Sequence, residues 1–115
     1  MHLRLHHHPS YSLVAVDGDL DRRSVDPLID VFSMVPLGQG VVLDLRDVRT
    51  LDVAAARLLR DELVPRTGDG NVALVVEDPD VAASLVIADL HRSTSLVRTI
   101  EDGIGVVAPH AEVMA

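Results

Sequence analysis

Closely spaced aspartates, a histidine run and an acid-capped helix start are the places where this sequence could support chemistry. Asp17, Asp19 and Asp21 form "DGDLD" behind an apolar run. Alternating carboxylates suit a cation-binding loop, but the calcium-loop pattern with its terminal glutamate is missing. A turn whose aspartates accept bonds from backbone amides is the simpler expectation. Asp44 and Asp47 flank the end of another apolar run, and a hydrolytic pair there would need a separation that sequence does not define. His6 and His8 would share one face of a strand, yet a metal site needs at least a third ligand. A solvated strand end accounts for His6, His7 and His8, while His91 and His110 stand alone. In "VRTLDVAAARLL", Val48 to Leu59, Asp52 precedes a helical pattern and Arg57 lies on that helix beyond the cap. The nearest hydroxyl there is Thr50, in what reads as a loop.

Other catalytic signatures are missing. The chain contains no glycine-rich dinucleotide loop, no Walker loop and no nucleophile elbow. It has no cysteine, which excludes disulfides and thiol chemistry. Its serines and threonines have no histidine and aspartate at a spacing that announces a triad.

Composition narrows the partners. All ten basic residues are arginine, against 18 acidic ones, for a formal net charge of -8. Phosphate-rich partners meet a repulsive field, and with one Tyr, one Phe and no Trp there is little for bases to stack on. No apolar run approaches the roughly 20 residues a membrane helix needs. The start "MHLRLHHHPS" lacks the apolar core of a signal peptide, so a soluble cytoplasmic protein is expected. At 115 residues the chain suits one domain with a core of its own.

The elements that would position these residues alternate. "HLRLHHH" and "YSLVAVDG" read as two extended segments, the second apolar on both faces and therefore central. "GDLDRRS" reads as a loop, Ser24 as an N-cap and Pro27 as a first-turn residue. Leu28, Ile29, Phe32 and Val35 form the inward stripe of a first helix, which Pro36 and Gly38 stop. "GVVLDLRDV" is a buried strand. Asp52 then caps a second helix with Ala55, Leu58, Leu59 and Leu63 inward, and Pro65 ends it. "TGDGN" is a turn and "NVALVVED" another buried strand. Asp78 and Pro79 open a third helix with Val81, Leu85, Ala88 and Leu90 inward. "TSLVRTI" is a short last strand, and Gly103 and Gly105 weaken a final helix over "EDGIGVVAPHAEVMA". Such alternation predicts an α/β domain with crossover helices, without linker or repeat.

Three segments, "VDGDLDRRSVDPLIDVF", "GVVLDLRDVRTLD" and "VALVVEDPDVAASLVIADL", in this order and spacing resemble the STAS domain of bacterial anti-sigma factor antagonists, a domain also found in sulfate transporters. The resemblance spans about residues 11–104 of a single domain over 1–115, the last residues being a frayed end. It implies a small mixed sheet of four or five strands with helices mainly on one face. It also implies a non-enzymatic regulator without cofactor or metal. The implied partner is an anti-sigma factor of serine-kinase type, which phosphorylates a serine at the start of the second helix and so breaks the complex.

That family pattern is Asp-Ser-Ser-Gly or Asp-Ser-Thr-Gly. Asp52, Val53, Ala54 and Ala55 align with it, so Ala54 occupies the phosphorylated position. A methyl group cannot accept the charge of about -1.5 to -2 that drives such a switch. Ala55 puts a methyl where the family has glycine, on what would be a docking face. The implied partner-binding positions are Asp21, Asp52, Val53, Ala54 and Arg57. Arg57 and Arg60 either meet an acidic partner or are ordinary solvated residues. Two alternatives stay open. One is a scaffold or homo-oligomer subunit that has lost switching. The other is a small-ligand sensor using the amides at the second helix start.

Overall fold

The computed structural model describes residues 2–36, 38–68 and 71–108. Its strands are β1 (His2–His7), β2 (Tyr11–Leu20), β3 (Gly40–Leu51), β4 (Val72–Val75) and β5 (Ser95–Val97). Its helices are α1 (Val25–Phe32), α2 (Val53–Leu63), α3 (Pro79–Ile87), the single turn α4 (Leu90–Ser93) and α5 (Ile100–Val107). The strands form one five-stranded sheet in the order β1-β2-β3-β4-β5. β1 runs antiparallel to β2 and every other pair is parallel. This is the mixed α/β architecture expected from the sequence.

The layers follow from strand chemistry. Val41, Val42, Leu43 and Leu45 of β3 are fully buried, so both faces of that strand need cover. On one face, Val14, Leu43, Leu45 and Leu74 meet Leu28 and Phe32 of α1, Leu59 and Leu63 of α2, and Val81 and Leu85 of α3. On the other face, Val42, Ala73 and Val75 meet Val107 and the half-buried Ile100 and Ile104 of α5. Truncating a fully buried leucine such as Leu59 to alanine would cost roughly 2–5 kcal/mol.

Several local expectations are corrected. β2 continues through Asp19 and Leu20, because β3 bulges beside it: Gly18, at φ 100°, pairs with Val48 and Asp19 with Thr50, leaving Arg49 as the extra residue. β3 likewise runs to Leu51, which places Thr50 in a strand and not a loop. Ser24 does not cap α1; its hydroxyl accepts from the Asp21 N–H and donates to the Asp19 carbonyl. Asp21 holds that turn instead, its Oδ1 accepting from the amides of Arg23 and Ser24. Val25 joins the buried stripe of α1 while Ile29 packs against it only partly buried, and in α2 Ala56 is buried while Leu58 is only partly so. The chain does not stop turning at Pro65; a 3-10 turn covers Val64–Gly68. The third helix breaks before Leu90, at Asp89, which adopts φ 64°.

The final helix forms in spite of its glycines, and one of them is the reason. A Cβ on Gly103 would sit 3.1 Å from Val42 Cγ1, so its absence lets α5 lie close on the sheet. Gly40 serves the same contact from the strand side, since a Cβ there would meet Val107 Cβ at 2.7 Å and its carbonyl oxygen at 2.8 Å. The segment beyond Ala108, including His110, lies outside the described residues.

Two substitutions test this packing by urea unfolding. Gly40→Ala forces α5 away from β3 and should cost about 1–3 kcal/mol. Gly105→Ala meets nothing within 4 Å and should stabilise by up to about 1 kcal/mol. Equal effects of the two would contradict the close approach.

Candidate functional site at the start of helix α2

A single residue, Asp52, joins strand β3 to helix α2. Its backbone is extended, with φ -78° and ψ 158°, and its Oδ1 accepts from the Ala55 N–H at 2.7 Å. That bond satisfies one of the amides left free at a helix start. The Asp52 N–H in turn donates to the Leu20 carbonyl at 3.1 Å. One residue earlier on each strand, Leu20 pairs with Leu51, and Asp19 pairs with Thr50. The Thr50 hydroxyl donates to Asp19 Oδ1 at 3.0 Å. The turn around Asp21 and the start of α2 therefore share the carboxyl-terminal edge of the sheet, the usual ligand side of an open parallel sheet.

At this edge Ala54 is exposed, Val53 half-buried and Arg57 exposed one turn along the same side of the helix. Arg57 makes no side-chain hydrogen bond or ion pair among the described residues. Arg60 behaves differently, because its guanidinium reaches Asp61 and the Ala88 carbonyl and so ties α2 to the end of α3. Ala55 is fully buried, so its methyl packs into the core. This corrects the expectation that it crowds a docking face. Of the five sequence-expected positions, the structure brings Asp21, Asp52, Val53 and Ala54 to one edge and sets Arg57 beside them on α2.

The aspartates of "DGDLD" each have a partner within the protein. Asp17 Oδ1 accepts from the His2 N–H, and Asp19 and Asp21 accept as described above. Backbone amides of Ser24 and then Arg23 hold the exposed Asp21 carboxyl below its ordinary value. A shallow depression of about 460 Å³ beside this edge is lined by Asp17, Asp19 and Asp47 together with His2 and Arg49. Three carboxylates disfavour an anion there. Among the described residues, no cluster of three His, Asp or Glu side chains is placed to hold a metal. His8 lies past the end of β1, stacked on Tyr11 with ring centroids 4.5 Å apart and accepting from the Ser10 N–H. It does not pair with His6 on a strand face.

Asp44 has a role that its spacing from Asp47 does not suggest. It is only 6% exposed, and Arg46 binds both of its oxygens, at 2.9 and 3.0 Å. Burial alone would push the carboxyl up, but the Arg46 side chain and amide outweigh it and hold Asp44 below its ordinary value. The signal was present in the sequence as an Asp-x-Arg spacing, which puts both side chains on one strand face.

Two outcomes follow for stability. Asp52→Ala should cost about 1 kcal/mol, read by urea unfolding, through loss of the cap. Arg46→Ala should cost about 2 kcal/mol near neutral pH, because it strands a buried carboxylate. In the native protein the Asp44 contribution is present above the ordinary carboxylate range and lost as pH falls through its depressed folded value. Without Arg46, burial raises the folded value, so acidification protonates Asp44 and relieves the variant. Its deficit should therefore shrink between pH 7 and about pH 4; a deficit that stays constant would contradict the pairing.

No family model matches the chain, and no curated protein sequence matches it significantly. Solved structures do. An anti-sigma factor antagonist from Mycobacterium paratuberculosis superposes with a TM-score of 0.79 at 20% identity, covering 92% of this chain and 92% of that one. The anti-sigma factor antagonist SpoIIAA in its unphosphorylated form gives 0.67 at 15% identity, over 90% of this chain and 94% of its own. An uncharacterized protein of Shewanella loihica PV-4 with a SpoIIAA-like fold gives 0.56 at 12% identity, with 93% coverage of both chains. The five-stranded mixed sheet, the helices on its two faces and the near-complete coverage together show that this chain has the SpoIIAA-like fold of the anti-sigma factor antagonists.

Proposed function

We propose that this protein is a non-enzymatic, cytoplasmic regulator that binds an anti-sigma factor of serine-kinase type through the edge at the start of α2, and that it does so without a phosphorylation switch. The carrying observation is Ala54, exposed at the first turn of α2 where the resembled motif has its phosphoacceptor. The edge is otherwise complete: Asp52 caps the helix, Asp21 fixes the neighbouring turn, and Arg57 presents an unpaired charge to an acidic partner. The partner would meet a surface like that of the unphosphorylated antagonist at all times. Thr50 is a poor substitute acceptor, since its hydroxyl is engaged by Asp19 within a paired strand.

A second reading is a scaffold or homo-oligomer subunit. It is favoured by β1, an edge strand whose outer side has no partner among the described residues. The two readings differ in what the protein captures.

The test is a pull-down with the intact chain and with Arg57→Glu, followed by kinase assay on the recovered partner. Capture of a protein with a kinase-type ATP fold, with affinity lowered about tenfold or more by Arg57→Glu, is the expected result. The native chain should remain unmodified at α2, whereas Ala54→Ser should accept phosphate and release the partner. Phosphate on Thr50 of the native chain, or affinity indifferent to Arg57→Glu, would overturn the unswitched reading. Recovery of copies of the chain alone would favour the scaffold.

A further inference from the structure

Helix α5 covers only part of its face of the sheet. Ile104 and Val107 pack with Val42, Ala73 and Val75 toward β3 and β4. Toward β1, Leu13 and Ala15 of β2 stay partly exposed. With Ile100 as a wall they line an open cleft of about 490 Å³, the size of an ordinary small-molecule site. The cleft lies on the face opposite α1, α2 and α3, so it is separate from the proposed partner edge.

Its charges are arranged unusually for a chain with net charge -8. The buried Asp44 is neutralised by Arg46, and the Arg46 Nη1 group makes no bond among the described residues. Arg4 is opposite Ala15 on β1, and Ala15 is opposite Asp44 on β3, so the three stand in one row across the sheet. Arg4 is exposed and makes no ion pair or side-chain hydrogen bond among the described residues. Against the single carboxylate of Asp44, two arginines and His6 thus line the cleft. Glu77 and Asp47 act on Arg46 from outside it. A buried ion pair is seldom needed for stability, since apolar residues of similar volume often serve as well.

We infer that this cleft binds a small amphipathic monoanion: an aliphatic carboxylate whose head group bridges Arg4 and the Arg46 Nη1, with its chain on Leu13, Ala15 and Ile100. A guanidinium pair holds a carboxylate through charge-assisted bonds. A dianion would meet the Asp44 carboxylate, and a neutral chain would gain no charge-assisted bond from Arg4 or the Arg46 Nη1.

The experiment is titration of the isotope-labelled 115-residue chain with sodium octanoate below its micellar concentration, followed by backbone amide NMR. Shifts should cluster at residues 4–6, 13–15, 44–46 and 100. Arg4→Gln, at an exposed position, should weaken binding about tenfold, and Ala15→Leu should fill the floor and remove it. Octanol, with the same chain and no charge, should bind more weakly than octanoate by a similar factor. Absence of shifts would overturn the inference, as would shifts centred on the exposed Met34, Val64, Val86 and Ile87. Unchanged affinity in Arg4→Gln, or octanol binding as tightly as octanoate, would overturn it as well.

Discussion

Strand β3 sets the terms for the rest of the molecule. Its segment Val41–Leu45 has no solvent-facing side, so each flank needs an apolar layer. The crossovers that parallel pairing demands supply one layer as α1, α2 and α3, and the chain then crosses below the sheet to supply α5. Only a glycine at each side of the β3–α5 contact allows that second layer to seat at all. The same strand carries, in order, the pairing glycine, the Asp44–Arg46 pair and the junction into α2.

The architecture was legible because it rests on patterns that one segment states by itself. Apolar runs bounded by turn residues marked β3 and β4, and Asp78 followed by Pro79 marked α3, whose carboxylate does accept from the amides of Asp80 and Val81. The Asp52 cap was equally local. What sequence left obscure depends on distant partners. Asp19 and Leu20 read as loop residues because a bulge is recognisable only from the strand beside it. Gly103 read as a helix weakener because the side chains it accommodates belong to β3 and β4. Ser24 has the right type for a cap, but its hydroxyl is taken up by the Asp21 N–H and the Asp19 carbonyl, and Pro27 at the third helical position has no N–H to offer it.

The edge at α2 is legible in kind and not in composition. Sequence order placed Asp21 and Asp52 in two separate motifs; the Leu20–Asp52 backbone bond is what makes them neighbours. Of the two arginines on α2, spacing could not separate Arg57 from Arg60, since the difference lies in the Ala88 carbonyl that only Arg60 can reach. Ala54 and Ala55 look equivalent in the string, yet one faces solvent and the other the core.

The one-residue passage from β3 into α2 has a consequence for recognition. A helix whose first turn is bolted to a paired strand through Asp52 has almost no slack, so its leading residues keep one orientation whether or not anything sits on them. Association at such a surface loses little conformational freedom on this side, and the ordering penalty falls on the other molecule. Discrimination between companions then rests on the shape and charge this chain holds in advance, as with a rigid template that selects among flexible candidates.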